Sequence, residues 1–169
     1  KALAVAGEGP SQPRAHALNN IGTAKSIPRY PEGMEELEES YAMSADIHSS
    51  HDQIRAAVNI SWGAIYHRDL ATAELWAGRA HELSIDREIA SFDAYVTGEL
   101  ALIDEMRGNW AEAEAKVCFV LDTLAELGTA NIVASTLLGR LQARRGEPDL
   151  RRLRLHPEAL GGGGGDPDR

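Results

Sequence analysis

A single cysteine, Cys118, is all the thiol this sequence has, so no disulfide can form within the chain. It stands among Val117, Phe119 and Val120, which predicts burial as a small hydrophobe and not a reactive thiol. Long apolar runs are missing too. None approaches the ~20 residues that span a bilayer, and the opening KALAVAGEGP is too short and too soon interrupted for a signal peptide. Basic charge is scarce: 17 Lys and Arg against 26 Asp and Glu leave a formal charge of -9. That balance weighs against a general affinity for nucleic acid or an anionic membrane, both of which reward clustered cations. No GxxxxGK(S/T) loop occurs, which excludes ATP hydrolysis by that mechanism, and no DNA-reading helix is recognisable. The expectation is an acidic cytoplasmic protein that needs no cofactor and binds neither nucleic acid nor membrane directly.

What is present suits one globular or repeat domain, with 169 residues, 43% of them hydrophobic and 25% charged. Lys1 to Ala6 reads like the last turns of an earlier helix, so a piece of a longer chain is expected. Residues 1–10 then form a lead and 11–150 a helical domain. Residues 151–169 form a basic partial helix that runs into the Gly161 to Gly165 linker or tail.

Gly and Pro divide the middle into segments of helical length. Ser11 and Pro13 open a first helix with Ala17, Leu18, Ile21 and Ala24 on one face. Pro31 suits a first helical position, and Met34, Leu37 and Tyr41 follow on one side, with Glu35, Glu36, Glu38 and Glu39 as a solvated face. Ser50 with Gln53 fits a capping box ahead of Ala57, Ile60, Ala64 and Ile65. Asp69 caps a helix through Leu70, Ala73, Trp76, Ala77 and Ala80, and Asp86 one through Tyr95, Val96, Leu100, Ile103 and Met106. Gly108 ends the latter. Asn109 with Glu112 opens the stripe Trp110, Ala113, Val117, Val120, Leu124 and Leu127, where Ala111, Ala113 and Ala115 keep the first turns thin. Gly128 closes it, and Thr129 restarts a helix through Ile132, Val133, Leu137, Leu138 and Leu141 that stops at Gly146 and Pro148.

These segments repeat. Gly22, Ser61, Ala101 and Gly139 are small and recur at intervals of 39, 40 and 38 residues, and Pro31, Leu70, Trp110 and Pro148 keep the same intervals. The residues before the small positions, Ile21, Ile60, Leu100 and Leu138, are all branched aliphatics. Met34, Ala73, Ala113 and Arg151 stand three residues after the turn markers, the last breaking the pattern. A period of this length with helix-turn-helix content predicts an all-α fold, an αα-hairpin repeat solenoid whose hairpins need their neighbours to bury both faces.

A small residue in the first helix, an aromatic residue or Pro at the turn and a small residue soon after resemble the tetratricopeptide pattern, stretched beyond its usual ~34 residues. The stretches ALNNIG, RGNWAEAEA and LLGRLQARRGEPD resemble the helical sensor region of large bacterial transcriptional regulators of the MalT and LuxR type. The resemblance covers roughly Ser11 to Leu150. It implies a right-handed tetratricopeptide-like superhelix that serves as the sensor or docking arm of a longer signalling protein and performs no catalysis. A stand-alone adaptor is the alternative. A metal-dependent enzyme using His48 and His51 is a distant third, because His48-Ser-Ser-His51, flanked by Asp46 and Asp52, matches no closed site and reads equally well as a polar turn.

In such a solenoid the first helix of each pair lines the concave face. Helical spacing puts His16, Asn19, Thr23, Arg55, Trp62, Tyr66, Tyr95, Glu105 and Arg140 near it, as a groove for a protein, a peptide or a small effector. Trp62 and Tyr95 are equally candidates for the core. Arg144, Arg145, Arg151 and Arg152, with Arg140 and Arg154, make the C-terminal end basic. They read either as a solvated face complementing a helix end or as a docking patch for an acidic partner. An incomplete final repeat with an exposed apolar end favours a homodimer.

Overall fold

Three-residue turns set the architecture. The computed structural model describes residues 9–123 and 128–146, and among these the chain forms seven α-helices and no strand. They are α1 (Gln12–Lys25), α2 (Tyr30–Asp46), α3 (Ser50–Tyr66), α4 (Leu70–Asp86), α5 (Ala90–Arg107), α6 (Trp110–Thr123) and α7 (Gly128–Arg145). No helix among the described residues is long and apolar enough to cross a membrane.

Four of the turns share one backbone solution at an interval of twenty residues. His48, Arg68, Glu88 and Gly108 all have positive φ, at 56°, 59°, 54° and 87°. At each turn the N–H of that residue donates to the carbonyl three back, and the next N–H reaches five back, as in Arg68 N to Ile65 O at 3.1 Å and Asp69 N to Ala64 O at 2.9 Å. This is the Schellman closure, which satisfies the last carbonyls of one helix while the chain reverses into the next. Two such units span forty residues, the interval seen in the small-residue series.

The turns correct several boundaries. Asp86 is the last residue of α4, and Ile89 stands at the N-cap of α5. The N-cap of α3 is Ser49 and not Ser50, and Ser49 Oγ donates to Asp52 Oδ2 at 2.7 Å instead of closing a box with Gln53. Asn109 stands immediately before α6, where its cap was expected, and its amide Nδ2 donates to Asp104 Oδ1 at 3.3 Å. Gly128 opens α7 rather than ending α6. Asp69 does cap α4, accepting from Thr72 N at 3.2 Å, and Pro31 sits in the first turn of α2. Pro148 and Leu150, like Leu124, Leu127 and Lys1 to Ala6, lie outside the described residues.

Each helix packs on the next in sequence, and the odd-numbered helices also pack on one another, α1 on α3, α3 on α5 and α5 on α7. The even-numbered helices make no comparable contacts among themselves, so the array has an inner odd layer and an outer even one. Small residues make this possible. A Cβ on Gly22 of α1 would stand 2.8 Å from the Gly33 carbonyl oxygen of α2 and 2.7 Å from Leu37 Cγ. Ser61, Ala73, Ala101 and Ala113, from the same repeat series, are fully buried.

One apolar cluster runs from α2 to α5 through Leu37, Ile54, Ile60, Trp76 and Val96, and a second joins α5 to α7 through Ala101, Val117, Leu137 and Leu141. Leu102 packs against both. Periodicity overreached at Ala24, Trp110 and Ile132, which are exposed, and of the small residues in the first turns of α6 only Ala113 is buried, Ala111 and Ala115 being exposed. Ala24, Trp110 and Ile132 lie near helix ends, while Ala111 and Ala115 point away from the face that buries Ala113 and Val117. Cys118 is half-buried and Phe119 beside it is half-exposed.

Candidate functional site: an arginine-lined cleft

The odd layer opens into a cleft of about 670 Å³ where the ends of α3 and α5, the Gly108 turn and the last turns of α7 converge. Its lining includes the apolar Ile65, Leu102 and Met106 and four arginines, Arg68, Arg107, Arg140 and Arg144, with Glu105 as the single acid. Chain reversal explains the gathering. Arg68 and Gly108 occupy equivalent turns two helices apart, and α7 runs back to the same end.

Glu105 organises this site. Its side chain is 3% exposed, yet Arg140 Nη2 donates to Oε2 at 2.7 Å and Arg144 Nη1 lies 2.8 Å from Oε1. The second contact is an ion pair without hydrogen-bond alignment, since Oε1 has no aligned donor. Arg140 and Arg144 are one helical turn apart and about half exposed. Without Glu105 such like charges repel. Trp110 forms a rim, 41% exposed, with Arg144 Cζ 5.7 Å from its ring centre. Arg107 is engaged by Glu74 at 2.7 Å and by the Leu70 carbonyl at 3.5 Å. The Glu74 carboxylate, through its hydrogen bond, holds the Arg107 guanidinium above its ordinary value.

Two of the groove residues expected from sequence, Glu105 and Arg140, therefore meet here, joined by Arg144 of the expected basic patch. The others lie elsewhere on the odd layer. Asn19 is buried and accepts from Asn59 Nδ2 at 2.9 Å. Thr23 is exposed and bonds its own helix at Asn19 O. Arg55 Nη2 donates to Asp52 Oδ1 at 2.8 Å and to His16 Nδ1 at 2.6 Å. With Gln12 to Asp52 at 3.0 Å, these contacts form a polar ladder between α1 and α3. Burial opposes ionisation of Asp52, but hydrogen bonds from Ser49 and Gln12 and the Arg55 charge outweigh it and hold the carboxyl below its usual range. Trp62 and Tyr66 project outward from α3, the latter 60% exposed. Tyr95 is half-buried, and burial, then the neighbouring Glu99, raises its phenol.

Arg145 pairs with Glu114 and so stands apart from Glu105, while Arg151 and Arg152 lie outside the described residues. His51 stacks edge-on against Phe92, ring centres 4.9 Å apart, and Asp52 is taken up by the ladder. His48 holds a turn. Among the described residues no three His, Cys, Asp or Glu side chains converge as a metal set.

Arg68, Arg107 and Trp110 escaped sequence reading as site residues. A signal existed, because the turns at residues 68 and 108 share a register that brings their flanking side chains to one end. The turn markers Leu70 and Trp110 carry that register, but a shared interval does not say which side chains beside the turns line a cleft. Compared with models of protein families, with curated proteins and with solved structures, the chain has no match.

Proposed function

We propose that this chain is a non-catalytic recognition module, a tetratricopeptide-like solenoid whose odd layer captures a protein, peptide or small-effector ligand. It serves as the cytoplasmic sensor or docking arm of a larger bacterial transcriptional regulator. The observation that supports the reading best is the two-layer array itself. Turns recur every twenty residues and only odd helices stack on one another, which leaves a continuous inner face carrying the cleft. Stacked hairpins of this kind present concave surfaces for binding, and recognition by them draws on arginine and aromatic anchors, both present at the cleft.

The test begins with the coding frame beyond Lys1 and Arg169. A phosphate-loop ATPase upstream and a helix-turn-helix downstream are expected. A native chain that stops close to these ends discards the regulator and leaves a small adaptor. The recognition reading itself is tested by thermal-shift screening of metabolites and peptides against the whole chain. A ligand whose effect disappears in Arg140→Glu supports it, and ligands indifferent to every odd-layer substitution refute it.

A further inference from the structure

Resting on that recognition reading, the structure assigns to the cleft a narrower ligand class. We propose that it binds a small, multiply charged oxyanion, held by Arg68, Arg140 and Arg144 against the rim of Trp110. A chain of net charge -9 has concentrated four arginines around one cavity whose lining holds a single carboxylate. Charge of one sign gathered at one cleft raises the local concentration of counter-ions there.

These arginines have donors to spare. Each guanidinium offers five N–H donors, yet Arg140 and Arg144 each turn one nitrogen to the same carboxylate. Arg68 makes no side-chain hydrogen bond or ion pair among the described residues. Its backbone is fixed, at φ 59° between two turn hydrogen bonds, so the side chain starts from a rigid turn while its guanidinium is left to meet a ligand. Glu105, nearly buried, holds Arg140 and Arg144 side by side before any ligand arrives. Such preorganisation lowers the ordering cost of binding.

Planar guanidinium forks match the two oxygens of a phosphate or a carboxylate, and the shared chemistry is that of clustered oxyanions. The cavity volume falls within the range of about 300–1,000 Å³ typical of small-ligand sites, which favours a metabolite-sized di- or trianion over an extended polymer. The acid excess of the whole chain points the same way, because a nucleic acid rewards a longer basic track than these four arginines make.

Isothermal titration calorimetry of the whole chain with inorganic pyrophosphate and, separately, with citrate tests the assignment. Binding of at least one anion is expected, weakened about tenfold or more, or roughly 1.4 kcal/mol, by Arg68→Gly and by Arg144→Gln. Arg68→Gly keeps the fold because glycine accepts the positive φ at that turn. Arg145→Gln, whose parent pairs with Glu114 outside the cleft, is expected to bind as the unmodified chain does. Preference for pyrophosphate identifies a phosphate ligand, and preference for citrate a polycarboxylate. Absence of binding to both anions, or binding that ignores Arg68→Gly and Arg144→Gln, overturns the proposal. A peptide or protein that binds the odd layer with affinity untouched by Arg68→Gly overturns it while leaving the recognition reading standing.

Discussion

Arg140 Nη2 donates to Glu105 Oε2 at 2.7 Å, across an exposure contrast of 47% to 3%. The contrast predicts an asymmetry. Glu105→Gln releases two arginines that reach water on their own, whereas Arg140→Gln with Arg144→Gln strands a carboxylate where water does not reach. Leaving a buried charged group unpaired costs about 1–3 kcal/mol or more. Urea unfolding should therefore find the double arginine variant less stable than Glu105→Gln. Equal midpoints would show that the acid is solvated by other means.

The crossing of α1 and α2 leads to a second expectation. Gly22→Ala places its Cβ 2.8 Å from the Gly33 carbonyl oxygen, a backbone atom that cannot swing aside. Overpacking of this kind costs about 1–3 kcal/mol, more than the ~1 kcal/mol that Ala gains over Gly in a helix. At Gly78 of α4 an added Cβ meets nothing within 4 Å, so Gly78→Ala should raise stability by roughly 0.5–1 kcal/mol. Thermal melts of the two variants should move in opposite directions, and a shared direction would contradict the close approach.

Three turns predict a third result. His48, Arg68 and Glu88 hold left-handed backbone at φ 54° to 59°, which costs an L-residue roughly 1–2 kcal/mol against a smaller entropic cost for glycine. His48→Gly and Glu88→Gly are each expected to stabilise the fold by up to about 1 kcal/mol, read as a higher denaturation midpoint. A loss at both would mean that these side chains hold something the turn geometry does not reveal.

The same turns explain how far the sequence could be read. Stripes such as Ala57, Ile60, Ala64 and Ile65 reveal a buried face directly, because burial is set by helical period. The end of a helix depends on one backbone angle. At Gly108 the residue type advertises that angle, but at Glu88 and His48 it does not, and Asp86, a good cap by residue type, is still helical as the last residue of α4. The cleft was only half legible for a related reason. Arg140 and Glu105 fall on the expected face, but their partnership joins residues 35 apart in sequence, and Arg144 reaches Trp110 across a similar separation. Spacing alone states a face and not a neighbour.

Glu99 was the least legible residue and supports the last prediction. It interrupts the apolar stripe of α5 and is 1% exposed, and neither carboxyl oxygen has a hydrogen-bond partner among the described residues; the nearby Ser61 hydroxyl is also unpartnered. Burial pushes its carboxyl up from 4.5 to about 8, with Ser61 drawing it only partly back. The folded chain therefore holds a proton that the unfolded chain gives up near 4.5. Stability is full below that value and falls as pH rises toward about 8, with a slope approaching ~1.4 kcal/mol per pH unit, and then levels off. Tyr95, the phenol coupled to Glu99, is itself raised and stays neutral throughout this window. Glu99→Gln keeps the shape and removes the ionisation. Unfolding free energies measured by urea from pH 5 to 8 should show the parent chain losing stability relative to Glu99→Gln as pH rises. Parallel curves across that window would mean that the carboxyl ionises without cost, and that water reaches it between α3 and α5.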